Sequence, residues 1–298
     1  MPMFPTDSGW LSAADLSAYV YAAGFRRAEY RCPSMISYPQ KGGRMKNYYV
    51  MTLFPEMIEN VVRESISGRA IKAGLMNVEA FNIRDYTKDA HNHVDDYPYG
   101  GGAGMLMQVQ PIVDCYQHIV DRIGHRPARV LFMSPQGRTF DQKMAEELAA
   151  EEDILFLCGH YEGIDERALE ILDVEHVSIG DYILTGGELP ALSMIDSISR
   201  LVHGVLNKDA SHEIESFSDG LLEYPQYTRP EVYADRRVPP ILLSGDHKKV
   251  DEWRHQMSLE RTKERRPDLY EAYVASHAEE FAPKKPKRRR KAAEVQPK

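Results

Sequence analysis

Short, largely apolar runs recur along the first two thirds of the chain: Tyr48–Phe54, Val78–Ile83, Val130–Met133, Ile154–Leu157 and His176–Ile179. Runs of this length and character read as strands covered on both faces. Between them the apolar spacing lengthens to that of helices. One candidate follows Pro55, one follows Pro111, one covers Asp141–Glu151, and one starts at Asp165, a capping residue type, with Leu169 and Leu172 on one face. The clearest opens at Pro190, a favoured first-turn residue, where Met194, Ile195, Ile198, Leu201 and Val202 form one stripe. Strand and helix in alternation predict an α/β layer fold on a mostly parallel sheet over residues 45–206.

The flanks differ. Residues 1–44 lack a sustained period and end in Lys41-Gly42-Gly43-Arg44, a tetrapeptide that purine-only codons can encode, as a ribosome-binding site read in frame would be. Met45 is therefore the expected natural start, the alternative being a genuine N-terminal arm with a short helix around Ser12–Ala22. Residues 207–223 are polar and aperiodic and read as a flexible interdomain linker. Helical character resumes at Tyr224, with Asp251 as a candidate cap and a basic cluster at Arg261, Lys263, Arg265 and Arg266, so 224–282 reads as a small helical domain. Residues 283–298, with Lys284-Lys285-Pro286-Lys287-Arg288-Arg289-Arg290-Lys291, read as a disordered basic tail.

Charge refines this picture. The net charge is −8, yet 283–298 hold eight of the 37 basic residues and one of the 45 acidic ones, so the rest carries −15 (29 basic against 44 acidic). Such an acidic body is no general polyanion binder, and nucleic acid would have to be held by local patches. Cys32, Cys115 and Cys158 have no C-x-x-C spacing, which excludes a disulfide framework or zinc site and fits a reducing cytosol. No apolar run approaches the roughly 18 residues of a membrane span.

Candidate chemistry lies in glycine-bearing loops. Ser134-Pro135-Gln136-Gly137 and Cys158–Gly163 each follow a candidate strand, and Ser178–Pro190, containing Gly186-Gly187, runs from a strand end into the best helix. In open parallel sheets ligands bind beyond the carboxyl ends of strands, where glycines allow close backbone approach. Any one of these alone reads sooner as a tight turn; three together point to one pocket. With no G-x-G-x-x-G and no Walker A sequence, a neutral adenosine ligand held by backbone groups fits better than a dinucleotide or phosphate. A fourth cluster, Tyr99–Met105, reads as a lid or an RNA-contacting loop. His91, His93 and His160 read as surface residues, and Cys115 and Cys158 as buried thiols.

These loops resemble the bacterial TrmD family of tRNA (guanine-N1)-methyltransferases, in the knotted SPOUT class. The matching stretches are Leu53–Met57, Asp95-Asp96 with Gly100–Met107, Ser134–Gly137, Cys158–Arg167, Ser178–Pro190, Ile195–Ser197, Ser216–Leu222 and Tyr227–Val232. In this order and spacing they are highly specific. The resemblance implies a parallel-sheet fold with a deep trefoil knot, a small C-terminal all-helical domain that holds tRNA, a homodimer, and a cytoplasmic enzyme. It implies S-adenosyl-L-methionine bound by Ser134, Pro135, Gly137, Gly159, Tyr161, Glu162, Ile179, Gly180, Asp181, Tyr182, Ile183, Leu184, Gly186, Gly187 and Pro190. The substrate would be tRNA with guanosine 3′ to the anticodon, touched by Asp96 and Ser216, and magnesium is expected near Glu162 and Glu215.

Guanine N1 keeps its proton at neutral pH, so methylation there needs a general base. Glu215 is that candidate, with Asp219 second, and Arg200 matches the family arginine that steadies charge developing on O6. The sequence departs from the family at Ala103, where many relatives have proline, and at Glu215, where aspartate is frequent, which leaves the choice between Glu215 and Asp219 open. A related enzyme with another RNA target and a non-catalytic RNA-binding protein are the rival readings.

Overall fold

The computed structural model describes residues 45–206 and 215–281. The expectations for 1–44, for the first eight residues of the linker (207–214), and for the basic tail therefore lie outside the described residues. Five strands form one parallel sheet: β1 (Lys46–Thr52), β2 (Met76–Asn82), β5 (Arg129–Thr139), β6 (Asp153–Leu157) and β7 (Glu175–Ser178), in the order β2-β1-β6-β5-β7. Each predicted strand is present; four are displaced by a residue or two, and β5 runs on six residues past its expected end. Helices α1 (Pro55–Val62), α2 (Ser65–Lys72), α3 (Val109–Ile123), α4 (Gln142–Ala149), α5 (Glu166–Leu172) and α6 (Glu188–Ser199) cover it.

Strand periodicity divides the core in two. Tyr48 and Val50 of β1 face one way, joining Ile58, Met144, Leu148, Met194, Ile195 and Ile198 from α1, α4 and α6. Tyr49 and Met51 face the other way, joining Ile112, Cys115, Ile119, Leu169 and Leu172 from α3 and α5. Two buried faces explain why the strands read as continuous apolar runs. At about 1.5–3 kcal/mol for each large side chain removed from water, these two layers supply most of the drive to fold.

The buried polar groups of β1 are satisfied. Lys46, almost wholly buried, points its ammonium at the carboxyl end of α4, donating to the carbonyls of Leu148 (2.6 Å), Ala149 (3.1 Å) and Glu151. This completes carbonyls the helix leaves unpaired. The Tyr48 hydroxyl lies 3.1 Å from Ser199 Oγ within the core, and burial pushes its pKa up.

Several boundaries differ from expectation. Asp141 and Asp165 cap α4 and α5, accepting from the amides of Met144 (2.8 Å) and Arg167 (3.0 Å). The predicted Pro190 helix begins two residues earlier, at Glu188, and ends at Ser199, before Leu201 and Val202. Residues from Tyr224 to Asp246 are not α-helical; they hold the small antiparallel hairpin β8 (Val232–Tyr233) and β9 (Arg236–Arg237) and a 3-10 turn at Pro240–Leu243. Asp246, not Asp251, caps the long α7 (His247–Arg265), its side chain accepting from the Lys249 amide. Two shorter helices, α8 (Pro267–Ser276) and α9 (Ala278–Phe281), follow. Asp251 lies a full turn inside α7, where an N-cap hydrogen bond has no free amide to serve.

The largest departure is in β5. Ser134-Pro135-Gln136-Gly137 is not a loop after the strand but an outward bulge within it. Met133 and Arg138 both register against Val177 of β7, and Thr139 then pairs with Ser178. A Cβ on Gly137 would fall inside the backbone of His176 and Val177, so only glycine lets the detour close back onto β7.

Candidate active site

Because β6, β5 and β7 are neighbours, three glycine-bearing segments leave the same end of the sheet side by side: the 134–137 bulge, the 158–163 loop and the 178–187 loop. Ser134 Oγ accepts from the Gln136 amide at 3.2 Å, fixing the start of the bulge, and Ser178 Oγ does the same for Gly180 at 3.1 Å. The last two loops touch directly, with the Gly187 amide donating to the Gly159 carbonyl at 3.1 Å. A Cβ on Gly187 would clash with the Cys158 backbone, and one on Gly159 would crowd the Phe132 ring. Thus Ser134, Pro135, Gly137, Gly159, Tyr161, Glu162, Ile179 through Leu184, Gly186 and Gly187, with Pro190 in α6, are gathered at one edge. Tyr161 and Tyr182 are about half exposed, and Ile183 nearly fully so, leaving apolar surface above backbone donors and acceptors. That donor set fits a largely neutral adenosine better than a phosphate.

The fourth glycine cluster joins this region. The strands β3 (Asp95–Asp96) and β4 (Leu106–Met107) form an antiparallel pair, and Met107 bridges in parallel to Ile164. The Glu162 amide donates to the Met105 carbonyl (3.0 Å), and the Met107 amide to the Gly163 carbonyl (2.9 Å). The Glu162 side chain lies directly on Gly104, where a Cβ would collide with it. Asp96 is exposed and accepts from the Tyr97 amide at 2.7 Å.

Beyond α6, Arg200 Nη2 lies 2.7 Å from Glu215 Oε1, and this pairing pushes the Arg200 pKa up further. Glu215 and Asp219 line one cavity of about 220 Å³, together with Leu222, Tyr224, Arg254 and His255. Ser216 Oγ accepts from the Glu223 amide at 3.0 Å, and Asp219 Oδ1 from the Leu221 amide at 3.0 Å, so both residues shape the turn that carries Glu215. Asp219 is thereby engaged with its own backbone, whereas Glu215 faces the arginine.

The expected magnesium pair does not fit this arrangement. Glu162 is packed on Gly104 and Glu215 is paired with Arg200, and among the described residues no three His, Cys, Asp or Glu side chains are gathered as a metal site. His91 and His93 are exposed as expected, and Cys115 and Cys158 are fully buried, with burial pushing both thiols up. His160 departs from its surface assignment: it is partly buried, and its Nε2 reaches both oxygens of Glu188 at 2.9 and 2.8 Å. Glu188 and Thr52 were not singled out by sequence, and the one available signal was a glutamate directly after Gly186-Gly187.

A bulged parallel sheet with backbone-rich glycine loops at the carboxyl ends of its strands defines the class: an α/β protein built to hold a small ligand there. Residues 45–272 match the family described as tRNA (Guanine-1)-methyltransferase TrmD. A tRNA (guanine-N(1)-)-methyltransferase of Lachnospira eligens is 63% identical over 79% of this chain and 99% of its own length. Those of Clostridioides difficile and Lachnoclostridium phytofermentans are 54% and 50% identical, over 75% and 78% of this chain and 96% and 94% of their own lengths. The chain belongs to the TrmD family of tRNA (guanine-N1)-methyltransferases.

Proposed function

We propose that this protein transfers a methyl group from S-adenosyl-L-methionine to N1 of guanine 37 of tRNA, the base 3′ to the anticodon, giving 1-methylguanosine and helping to hold the reading frame. The observation that carries this reading, within the family, is the set of three glycine-bearing segments that leave the carboxyl end of the sheet side by side. When bound, S-adenosylmethionine supplies an electrophilic methyl on a cationic sulfur. The loops would hold it through backbone amides and carbonyls, with Tyr161, Tyr182, Ile183 and Leu184 closing over its apolar surface. Glu215 takes the N1 proton as general base. Arg200, released from Glu215 as that carboxylate turns to the guanine, steadies the charge that gathers on O6. Asp219 holds the turn, and Asp96 and Ser216 meet the RNA. Alignment of the two reactants is then the main contribution of the protein.

Further features support the rest of the reading. Phe54, Met57, Val61 and Leu189 expose apolar surface near the cofactor loops, as a homodimer with its cofactor sites at the subunit interface requires. Membership of the family supports a chain threaded into a trefoil knot at those loops. Helices α7 and α8, with Arg261, Lys263, Arg265 and Arg266, suit a domain that grips the anticodon stem, its phosphate contacts sharpened by low salt. No helix among the described residues is long and apolar enough to cross a membrane, and a cytoplasmic setting suits a tRNA substrate.

The test is methyl transfer from labelled S-adenosylmethionine to two tRNA transcripts, one with guanosine 3′ to the anticodon and preceded by guanosine, the other with adenosine there. Label in the first alone, recovered as 1-methylguanosine, is the expected result. Equal labelling of both would refute the proposed target.

A further inference from the structure

Glu188 is the most deeply buried carboxylate beside the cofactor loops, 2% exposed, and the proposed chemistry gives it no part. A buried carboxylate survives only where donors surround it. Here His160 Nε2 donates to it from the 158–163 loop, and the Thr52 hydroxyl donates from the end of β1. The same Thr52 oxygen accepts from the Phe54 amide at 2.9 Å, and the Phe54 ring stands edge-on to His160 at 4.8 Å. Glu188 also opens α6, where the helix end favours negative charge. One carboxylate therefore ties β1, the loop after β6 and the loop that ends in α6. Gly186 is part of the arrangement, since any side chain there would collide with the His160 ring and Glu188.

We propose that Glu188, with His160 and Thr52, is a positioning latch that presets the spacing between the 158–163 and 178–187 loops for S-adenosylmethionine. The proposal rests on the cofactor reading given above and deepens it. The latch acts through the Gly187–Gly159 hydrogen bond: with His160 held to Glu188, the two glycine backbones face each other at a fixed separation before ligand arrives. The latch touches neither the guanine nor Arg200 and Glu215, so its loss should be felt as cofactor affinity rather than as the rate of the chemical step.

The experiment is equilibrium binding of labelled S-adenosylmethionine to the full chain, with steady-state kinetics alongside, for the wild type and for His160→Ala, His160→Gln and Thr52→Val. A hydrogen bond to a charged group predicts that His160→Ala weakens cofactor binding about tenfold or more, with kcat and the KM for tRNA holding within about twofold. Glutamine places an amide nitrogen where Nε2 stands, so His160→Gln should regain most of that affinity. Thr52→Val, which keeps its shape but loses the donor, should weaken binding in the same sense even if the alanine variant does not fold. Unchanged affinity in both deletions, or alanine and glutamine weakened alike, would overturn the latch. A kcat that falls at unchanged cofactor affinity would overturn it as well. Failure of the wild type itself to bind S-adenosylmethionine would instead strike at the cofactor reading.

Discussion

Arg200 Nη2 donates to Glu215 Oε1 across 2.7 Å, and about a third of each side chain is open to solvent. Solvent screening at that exposure keeps the contribution of the pair to stability below about 1 kcal/mol. Its proposed catalytic role is separate. Glu215→Gln should leave the thermal midpoint within about 2 °C while lowering kcat roughly 10²–10⁴-fold, as loss of a general base does. Asp219→Asn, which acts on the turn, should cost much less in kcat. A single-turnover assay of both variants decides between the two carboxylates; the reverse order of effects would move the base to Asp219.

Gly137 closes the β5 bulge against β7. Gly137→Ala forces a methyl group into the backbone of His176 and Val177, and overpacking of this kind costs about 1–3 kcal/mol. Urea unfolding should show that loss. The cofactor should also bind more weakly, because Ser134 and Pro135 sit on the displaced segment.

Asp165 caps α5 and pairs with Arg167 through two further contacts at 2.9 and 2.7 Å, and that arginine holds its carboxyl below the usual range. A carboxyl depressed in the folded state stabilises above its unfolded pKa of 3.8 and loses that contribution as pH falls through the folded value. Asp165→Ala should cost about 1 kcal/mol at pH 7, and the gap to wild type should narrow below pH 3.8. A gap constant across the acid range would contradict the assignment.

Burial pushes the Lys46 ammonium down to about 8, from an ordinary 10.5. Between those values the unfolded chain binds the proton more tightly, so stability should rise with pH across that window. In Lys46→Met the rise should be absent. Denaturation midpoints at pH 7.5, 8.5 and 9.5, matched for salt, are a direct comparison, and parallel profiles would refute it.

The sheet was legible because strands buried on both faces leave continuous apolar runs, and Val50 and Met51 are adjacent core residues on opposite faces. Helix α2 went unseen, since Ser65, Gly68 and Lys72 carry little apolar periodicity and its buried positions are only Gly68 and Ala70. The bulge at 134–137 was read as a turn because proline and glycine signal turns, and the two residues by which β5 resumes are too few to register as a strand. Of the site, the glycine loops were visible as motifs. The His160–Glu188 contact was not, because only the parallel crossover brings residues 28 positions apart to one point.

The parallel bridge between Met107 and Ile164, with Glu162 seated on Gly104, couples two segments that the sequence separates by more than fifty residues. The backbone hydrogen bonds of the Asp95–Met107 arm run into Glu162, Gly163 and Asp165. The arm and the 158–163 loop are thus braced together. On the proposed reading, in which Asp96 meets the RNA and the 158–163 loop holds the cofactor, the two binding events share this one brace.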